Sequence, residues 1–300
     1  MTVSTLAASL PMPTRQDRRI VHITRGRGHG GIVRLMSPSD LGERLKPFVF
    51  LDLFEIDGET MGGMPVHPHS GIATVTVLAE GDLRFDDPEQ GQGTIAYGAV
   101  EWMRASGGVW HGQELSRGEA SHVRGFQLWI ALPPELENGP VENAYIEAKA
   151  MPQVGPARVI LGQLDGTSSP VNAPAGITYL LVTLGANEEW TYEPPVGHSA
   201  AFVAVSSGTI DVGSTLRAGD MGVFDHDGAM HFQADADGPT TFVLGSAIPH
   251  PHDLVLGYYS VHSSEDALIR GETRIAELGS LLPPAGSLKR ERSVPVFKGA

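Results

Sequence analysis

Cysteine is absent from the 300-residue chain. This absence excludes a framework of disulfide bonds, and it equally excludes a metal site built from thiolates. Any metal ion that the protein binds must therefore be held by nitrogen and oxygen atoms.

Basic residues are few: 21 Lys and Arg stand against 35 Asp and Glu, and the formal net charge is -14. Binding of DNA or RNA rests mainly on cationic contacts to phosphate groups. We therefore expect no direct nucleic-acid partner, whereas an acidic surface is compatible with a protein partner.

Long apolar runs are also absent, since no stretch approaches the roughly 18 apolar residues of a membrane span. Residues 1–13 contain no basic residue and no apolar segment long enough for a secretory signal. We expect a cytoplasmic protein that does not associate with membranes.

Helical periodicity is missing from the first half of the chain, and strand-like alternation replaces it. With 37 Gly and 22 Pro the composition is rich in turns. Short apolar or alternating segments recur about every ten residues, a rhythm typical of β-sandwiches and barrels. They fall into two series with similar spacing, which suggests an internal duplication. The first series is 47–54, 75–81, 94–97, 100–103 and 125–131, and the second is 178–184, 199–205, 208–213, 222–224 and 240–245.

Two further local predictions concern the ends of the chain. Segments 19–24 and 32–36 flank a glycine-rich turn at 26–31, which predicts a β-hairpin. This turn matches neither phosphate-binding fingerprint, because it lacks a Lys-Ser/Thr ending and opens no helix. Near the C-terminus, the polar residues at 263–266 resemble a helix cap, and helical apolar spacing follows to Leu278.

The strongest chemical signal is a pair of histidines, His67 and His69, at the head of an alternating segment. Residues two apart in a strand point to the same face, so both imidazoles can close on one metal ion. His111, which follows a turn-like segment at 105–108, would be the third ligand.

The sequence resembles the pirin family of the cupin superfamily over about residues 19 to 280. Three segments carry the resemblance: Gly62-Gly-Met-Pro-Val-His-Pro-His-Ser-Gly71, Glu101-Trp-Met-Arg-Ala-Ser-Gly-Gly-Val-Trp-His111 and Phe126-Gln-Leu-Trp-Ile130. The resemblance implies an all-β bicupin fold, with two tandem antiparallel β-barrels, metal only in the first, and a short C-terminal helix. The expected boundaries are a disordered N-terminus at 1–17, a first barrel at 18–135, a linker at 136–158, a second barrel at 159–262, and a helix and tail at 263–300.

The resemblance also implies a ligand set. The family's metal, usually iron, is held by two histidines of the His-Pro-His motif, a distal histidine and a glutamate two residues after it, which here implies His67, His69 and His111. The glutamate position holds Gln113, so the adjacent Glu114 is the expected fourth ligand and general base, with Gln113 as the alternative oxygen ligand. At Ala73 the family also carries a glutamate that is lacking here.

Two functions follow from the resemblance. One is a quercetin 2,3-dioxygenase-like oxidoreductase, in which the metal chelates a flavonol or a similar aromatic and a carboxylate removes the hydroxyl proton. The other is a non-enzymatic, metal-dependent or redox-sensing regulator that binds a protein partner. We expect one divalent metal ion, Fe(II) first, while a neutral three-histidine site also suits Zn, Cu, Ni, Co or Mn.

Overall fold

The computed structural model describes residues 17–57, 65–87, 90–112, 115–282 and 294–297. The predicted disordered N-terminus therefore lies, up to residue 16, outside the described residues. The described chain is dominated by β-strands, and the helices are few, so the predicted all-β class is confirmed.

The first half of the chain contains thirteen described strands and one helix. They are β1 Ile20–Thr24, β2 Arg27–His29, β3 Ile32–Met36, α1 Leu41–Leu45, β4 Phe48–Asp57, β5 His67–His69, β6 Ile72–Glu80, β7 Asp82–Asp87, β8 Gly91–Ala96, β9 Val100–Arg104, β10 Val109–Gly112, β11 Leu115–Arg117, β12 His122–Ala131 and β13 Glu142–Ile146.

The second half begins with a short 3-10 helix at Ala148–Ala150. Its strands and helix are β14 Gln153–Val154, β15 Ala157–Leu161, β16 Gln163–Leu164, β17 Thr167–Ser168, β18 Ile177–Leu184, β19 Glu189–Tyr192, β20 Ala200–Ser207, β21 Thr209–Asp211, β22 Thr215–Arg217, β23 Met221–Phe224, β24 Met230–Ala234, β25 Thr240–Ala247, β26 Val255–Leu256, β27 Val261–His262, α2 Glu265–Leu281 and β28 Val294–Phe297.

Each half is built on one large sheet with smaller sheets beside it. The first large sheet has the order β13-β9-β6-β12-β4-β3-β2, and the three-stranded sheets β11-β7-β8 and β28-β10-β5 accompany it. The second has the order β1-β23-β20-β25-β18-β15-β14, together with the four-stranded sheet β19-β24-β21-β22. The layers are those of two tandem β-sandwiches, in agreement with the predicted two-part architecture.

The two large sheets pack against each other through one apolar core. Val75 and Phe126 belong to this core from the first sheet, and Leu181 and Phe202 belong to it from the second. Because side chains alternate along a strand, the residues between these positions face the interior of their own half. Within the first half, that interior is where the histidine-bearing strands β5 and β10 lie.

Strand pairing differs from the predicted organisation at two points. The strand β1 pairs with β23 of the second half rather than forming a hairpin with β3, which pairs with β2 and β4 instead. The segment predicted as a linker at 136–158 contributes β13 to the first large sheet. The alternation of side chains identifies a strand but not the strand it pairs with. The strand β1 can pack on β23 because Gly222 has no side chain at the place where Ile20 packs.

The predicted C-terminal helix is confirmed as α2, whose N-cap is Ser264. The Ser264 hydroxyl accepts a hydrogen bond from the Ala267 amide at 3.3 Å, as expected of an N-cap serine. The short helix α1 was not predicted, since five residues are too few to show a period. None of the helices that the structure describes is long and apolar enough to cross a membrane.

Candidate metal centre

The strands β5 and β10 pair antiparallel and bring the three predicted histidines together. His111 lies opposite His67, and Val109 lies opposite His69. One ligand nitrogen from each of the three histidines lies within 4.8 Å of the others. The geometry follows from the strand period, because His67 and His69 share one face of β5 while Pro68 points to the other.

All three imidazoles are buried inside the first half, and His69 is 0% exposed. Their ring centroids are 4.4 Å apart for His67 and His111, 4.8 Å for His67 and His69, and 5.0 Å for His69 and His111. Three rings this close share a small volume into which their nitrogens can converge.

Main-chain carbonyl groups orient two of the rings. The Nδ1 atom of His69 donates to the carbonyl oxygen of Tyr259 at 3.1 Å, and that of His67 donates to the carbonyl oxygen of Pro65 at 2.8 Å. A proton fixed on Nδ1 leaves the Nε2 lone pair available for a metal ion. The Nε2 atom of His69 is buried and has no hydrogen-bond partner in the described part of the chain.

The electrostatic environment keeps His69 neutral. Burial lowers its pKa well below the ordinary value, and the neighbouring His111 and His67 lower this pKa further. Neutral imidazole is the form that binds metal ions. The orphaned nitrogen, the tautomer and the neutral charge together fit a divalent cation.

The carboxylate predicted to complete the site is not observed. Both Glu114 and Gln113 lie outside the described residues, so their contribution stays a prediction. Ala73 is described: it faces the core between the two large sheets, away from the histidines. A side chain at that position would therefore not reach the site.

Aromatic residues form a wall beside the histidines. The Trp129 ring lies 4.9 Å from the His69 ring and stacks on Phe50 at 4.1 Å. The Tyr259 ring lies 5.3 Å from the His67 ring and 6.4 Å from the Trp129 ring, and Tyr259 is 42% exposed. Trp129 thus fills the interior, and Tyr259 occupies the edge between the site and solvent.

A buried network of polar side chains contacts Ser70, the residue that follows β5. Sequence reasoning did not predict this network. The Ser70 hydroxyl lies 3.0 Å from Nε2 of His262, whose Nδ1 lies 3.5 Å from the Glu137 carboxylate. The same carboxylate accepts from the Ser263 amide at 2.7 Å and so fixes the start of α2. No local sequence pattern could predict this network of polar side chains, because Ser70 and His262 are separated by almost two thirds of the sequence.

Two other tryptophans of the first half make structural contacts. Trp110 points away from the histidines, and its indole Nε1 donates to the carbonyl oxygen of Ile275 at 2.7 Å, so it ties β10 to α2. Trp102 lies in the core between the large sheets.

The sequence was compared with protein families and with known proteins. The family model described as Pirin matches residues 32–130. A pirin-like protein of Caulobacter vibrioides is 31% identical over 249 residues, which cover 78% of this chain and 89% of the relative. The chain belongs to the pirin family. Another relative, from Pseudomonas aeruginosa and provisionally named a quercetin 2,3-dioxygenase, is 28% identical over 247 residues, covering 77% of this chain and 85% of its own.

Solved structures agree on the fold of this pirin. A quercetin 2,3-dioxygenase from Acinetobacter baumannii superposes with a TM-score of 0.75 at 23% identity and covers 86% of this chain and 96% of its own. A bacterial pirin from Escherichia coli, solved in complex with nickel(II), has a TM-score of 0.58 at 17% identity and covers 75% and 94%. At these identities the likeness shows the bicupin fold alone, and it confirms the predicted fold.

Proposed function

We propose that this pirin binds one divalent cation through His67, His69 and His111 and acts as a quercetin 2,3-dioxygenase-like oxidoreductase. The observation that carries this proposal is the convergence of three buried imidazoles beside an aromatic wall. The substrate class is a flavonol or a similar aromatic that can chelate a metal through adjacent oxygens. The names of the relatives support the same substrate class.

Iron(II) is the proposed physiological cation, by family resemblance. A site of three neutral nitrogens does not by itself select iron, because Zn, Cu, Ni, Co and Mn also accept imidazole. The choice among these metal ions must therefore depend on the ligand that completes the three-histidine site and on the charge around it. The nickel(II) in the Escherichia coli relative shows that another pirin accepts that ion.

The side chains divide the work of the proposed reaction. A bound cation would supply Lewis-acid and redox chemistry to the chelated oxygens and to dioxygen. The three histidines hold it, and the carbonyl groups of Pro65 and Tyr259 keep two of the rings in the required tautomer. Trp129 and Tyr259 exclude water and orient a planar ring. A carboxylate is also needed to take the hydroxyl proton, and Glu114 is the sequence-based candidate for it.

Metal content tests the site. We expect about one equivalent of metal in the wild-type protein and none in the His67→Ala and His69→Ala variants. The matched control is His122→Ala, because His122, Glu55 and Asp57 form a second group of potential ligands at the surface. Full metal retention in both site variants, or loss in the control alone, would overturn the assignment.

Activity tests the reaction. Protein loaded separately with Fe, Cu, Ni, Co or Mn is mixed with quercetin under oxygen, and loss of flavonol absorbance and uptake of dioxygen are followed together. We expect turnover with at least one metal and none with the His69→Ala variant. No turnover with any metal would contradict the dioxygenase proposal. The regulator alternative, which involves a protein partner, would then be the function to pursue.

A further inference from the structure

The orientation of His69 depends on one main-chain carbonyl group, that of Tyr259. The His69 ring donates its Nδ1 proton to this oxygen at 3.1 Å, which leaves Nε2 for a metal ion. Tyr259 lies between the two-residue strands β26 and β27, and the side chains of Tyr258 and Tyr259 are both exposed. Burial of apolar surface therefore does little to fix this carbonyl, so polar contacts must do more.

Ser70 holds the main chain on both sides of Tyr259. Its carbonyl accepts the Val261 amide at 3.3 Å, and Ser70 and Ser260 form a parallel β-bridge. The Ser70 hydroxyl donates to the Ser260 hydroxyl at 2.9 Å, and the latter donates to the Tyr258 carbonyl at 3.0 Å. The residues before and after Tyr259 are thus tied to Ser70, which directly follows β5.

The hydroxyl protons fix the direction of the next hydrogen bond. A serine hydroxyl carries a single proton. The Ser260 proton goes to the Tyr258 carbonyl, so the Ser260 oxygen accepts the proton of Ser70. Ser70 then has no proton left for His262, whose Nε2 lies 3.0 Å from the Ser70 oxygen. His262 is therefore the donor, and its proton is on Nε2.

Glu137 holds the His262 ring in this orientation. Its carboxylate lies 3.5 Å from Nδ1 of His262, and it accepts from the Ser263 amide at 2.7 Å and from the Ser263 hydroxyl at 2.8 Å. The ring is also tightly seated, since a Cβ added at Gly71 would lie 2.8 Å from two of its carbon atoms. Because a buried polar group is costly when a partner is missing, the complete network favours one arrangement of residues 258–263.

Ser70, His262 and Glu137 stand in the order of a nucleophile, a base and an acid, but they do not form a catalytic triad. In such a triad the nucleophilic hydroxyl donates to the histidine. Here the Ser70 proton is directed to Ser260, and Ser70 is 0% exposed, so no substrate reaches it. The direction of the bond and the burial both favour a role in positioning.

We propose that His262 is a positioning residue for the metal centre. Through Ser70 it fixes the Tyr259 carbonyl, and that carbonyl keeps the His69 proton on Nδ1 and the Nε2 lone pair directed at the cation. The inference rests on the proposed metal site and deepens it, because it names the residue that keeps one of the proposed ligands ready to bind.

The first test measures Zn²⁺ affinity by competition with a chromophoric chelator. We expect His262→Ala to weaken binding about 10-fold, the lower end of the range seen when groups around a metal's ligands are changed. His262→Gln should restore most of the affinity, because its amide N–H can replace the Nε2 donor. If His262→Ala does not fold, as judged by thermal unfolding without metal, Ser70→Ala replaces it, since it removes the same hydrogen bond from the other end.

The matched control is His198→Ala in the second half. His198 is also buried, and its Nδ1 lies 2.9 Å from the Ser246 hydroxyl, so its loss likewise breaks a buried histidine–serine bond. This variant should lose stability in urea but bind Zn²⁺ as the wild type does. An equal loss of Zn²⁺ affinity in His198→Ala and His262→Ala would show a general effect of destabilisation and overturn the inference.

The second test determines the His69 tautomer in the metal-free protein at pH 7.5, by long-range ¹H–¹⁵N NMR correlation of the imidazole nitrogens. The wild type and His262→Gln should carry the proton on Nδ1, whereas His262→Ala should show a mixture of both tautomers. A loss of stability alone would not change this signature. If His262→Ala keeps the His69 proton on Nδ1, the inference is wrong. If the wild type binds no Zn²⁺, the proposed function fails, and the tautomer alone decides the role of His262.

Discussion

Tyr259 acts at the site through two different groups. Its main-chain carbonyl accepts the Nδ1 proton of His69, while its ring stands at the edge of the site beside His67. Its φ angle of 55° lies in the left-handed region, which a bulky residue rarely adopts. In this main-chain conformation the carbonyl contacts His69 and the ring lies beside His67.

A Tyr259→Gly variant separates these two contributions. Glycine suits a positive φ and keeps the carbonyl, but it also raises the entropy of the unfolded chain, so we expect stability within about 1 kcal/mol of the wild type. Metal content should stay at one equivalent. Flavonol binding, measured by titration, should weaken about 10-fold because an aromatic contact is lost.

The neighbouring Tyr258 provides the control for that experiment. Tyr258 is more exposed, at 63%, and its ring lies 4.9 Å from the Tyr259 ring. Among the described ring contacts, the Tyr258 ring has none with a histidine or with Trp129. Tyr258→Ala should leave both metal content and flavonol affinity unchanged. Loss of metal from Tyr259→Gly would show that the ring, and not the carbonyl, supports the site.

The helix α2 connects the C-terminal part of the chain to the histidine-bearing strands β5 and β10 of the first half. It approaches them closely at Gly271, where an added Cβ would lie 2.5 Å from Nε2 of His262 and 2.6 Å from the Ser70 hydroxyl. Ser70 follows His69 directly, so the spacing between α2 and β5 bears on the position of a proposed ligand. Glycine at this point in the helix is a packing requirement.

Gly271→Ala should therefore destabilise the protein, although alanine is the better helix former by about 1 kcal/mol. We expect a net loss of about 1–3 kcal/mol in urea unfolding, the usual cost of overpacking, together with weaker Zn²⁺ binding. The exposed Thr273→Ala on the same helix is the control and should gain about 0.5 kcal/mol. A stabilised Gly271→Ala variant with normal metal affinity would contradict the tight contact.

Elements with a strong local pattern could be predicted from the sequence. The alternation of β6 and β12, the glycine-bounded turns and the Ser264 cap each depend on neighbouring residues, and the structure confirms them. Along α2, however, the apolar residue Ile269 is exposed. The face that a helix buries is decided by what it packs on, which its own residues do not specify.

At the scale of the whole molecule, the duplicated architecture was predictable but the exchange of segments between halves was not. Each half contributes an element to the other: β1 joins the second large sheet, and residues 258–281 contact the histidine-bearing strands β5 and β10. His67, His69 and His111 could be found because strand period and spacing connect them. Tyr259, His262 and Glu137 could not, because only tertiary packing brings them near.

Acid sensitivity is a property of the molecule as a whole, since buried histidines occur in both halves. Burial lowers the pKa of His198, with Arg18 adding to the effect, and it also lowers the pKa of His250. It lowers that of His262 as well, against the opposing effect of Glu137. Below the ordinary histidine pKa of 6.5, the unfolded chain takes up protons that the folded chain does not yet bind. Stability is therefore fully present above that pH and is lost as the pH falls towards the folded pKa values.

Urea unfolding at pH 7.5, 6.5 and 5.5 measures this loss, and the His67→Ala/His69→Ala double variant serves as background so that metal release does not contribute. Each buried histidine should account for at most about 1.4 kcal/mol per pH unit. Adding His198→Asn to the background should reduce the slope by up to that amount, since asparagine can still bond Ser246 but does not titrate. The control is His22→Asn, because the His22 side chain is exposed in the folded protein. A slope unaffected by His198→Asn, or stability that rises on acidification from pH 6.5 to 5.5, would show that the buried imidazoles accept protons in the folded protein.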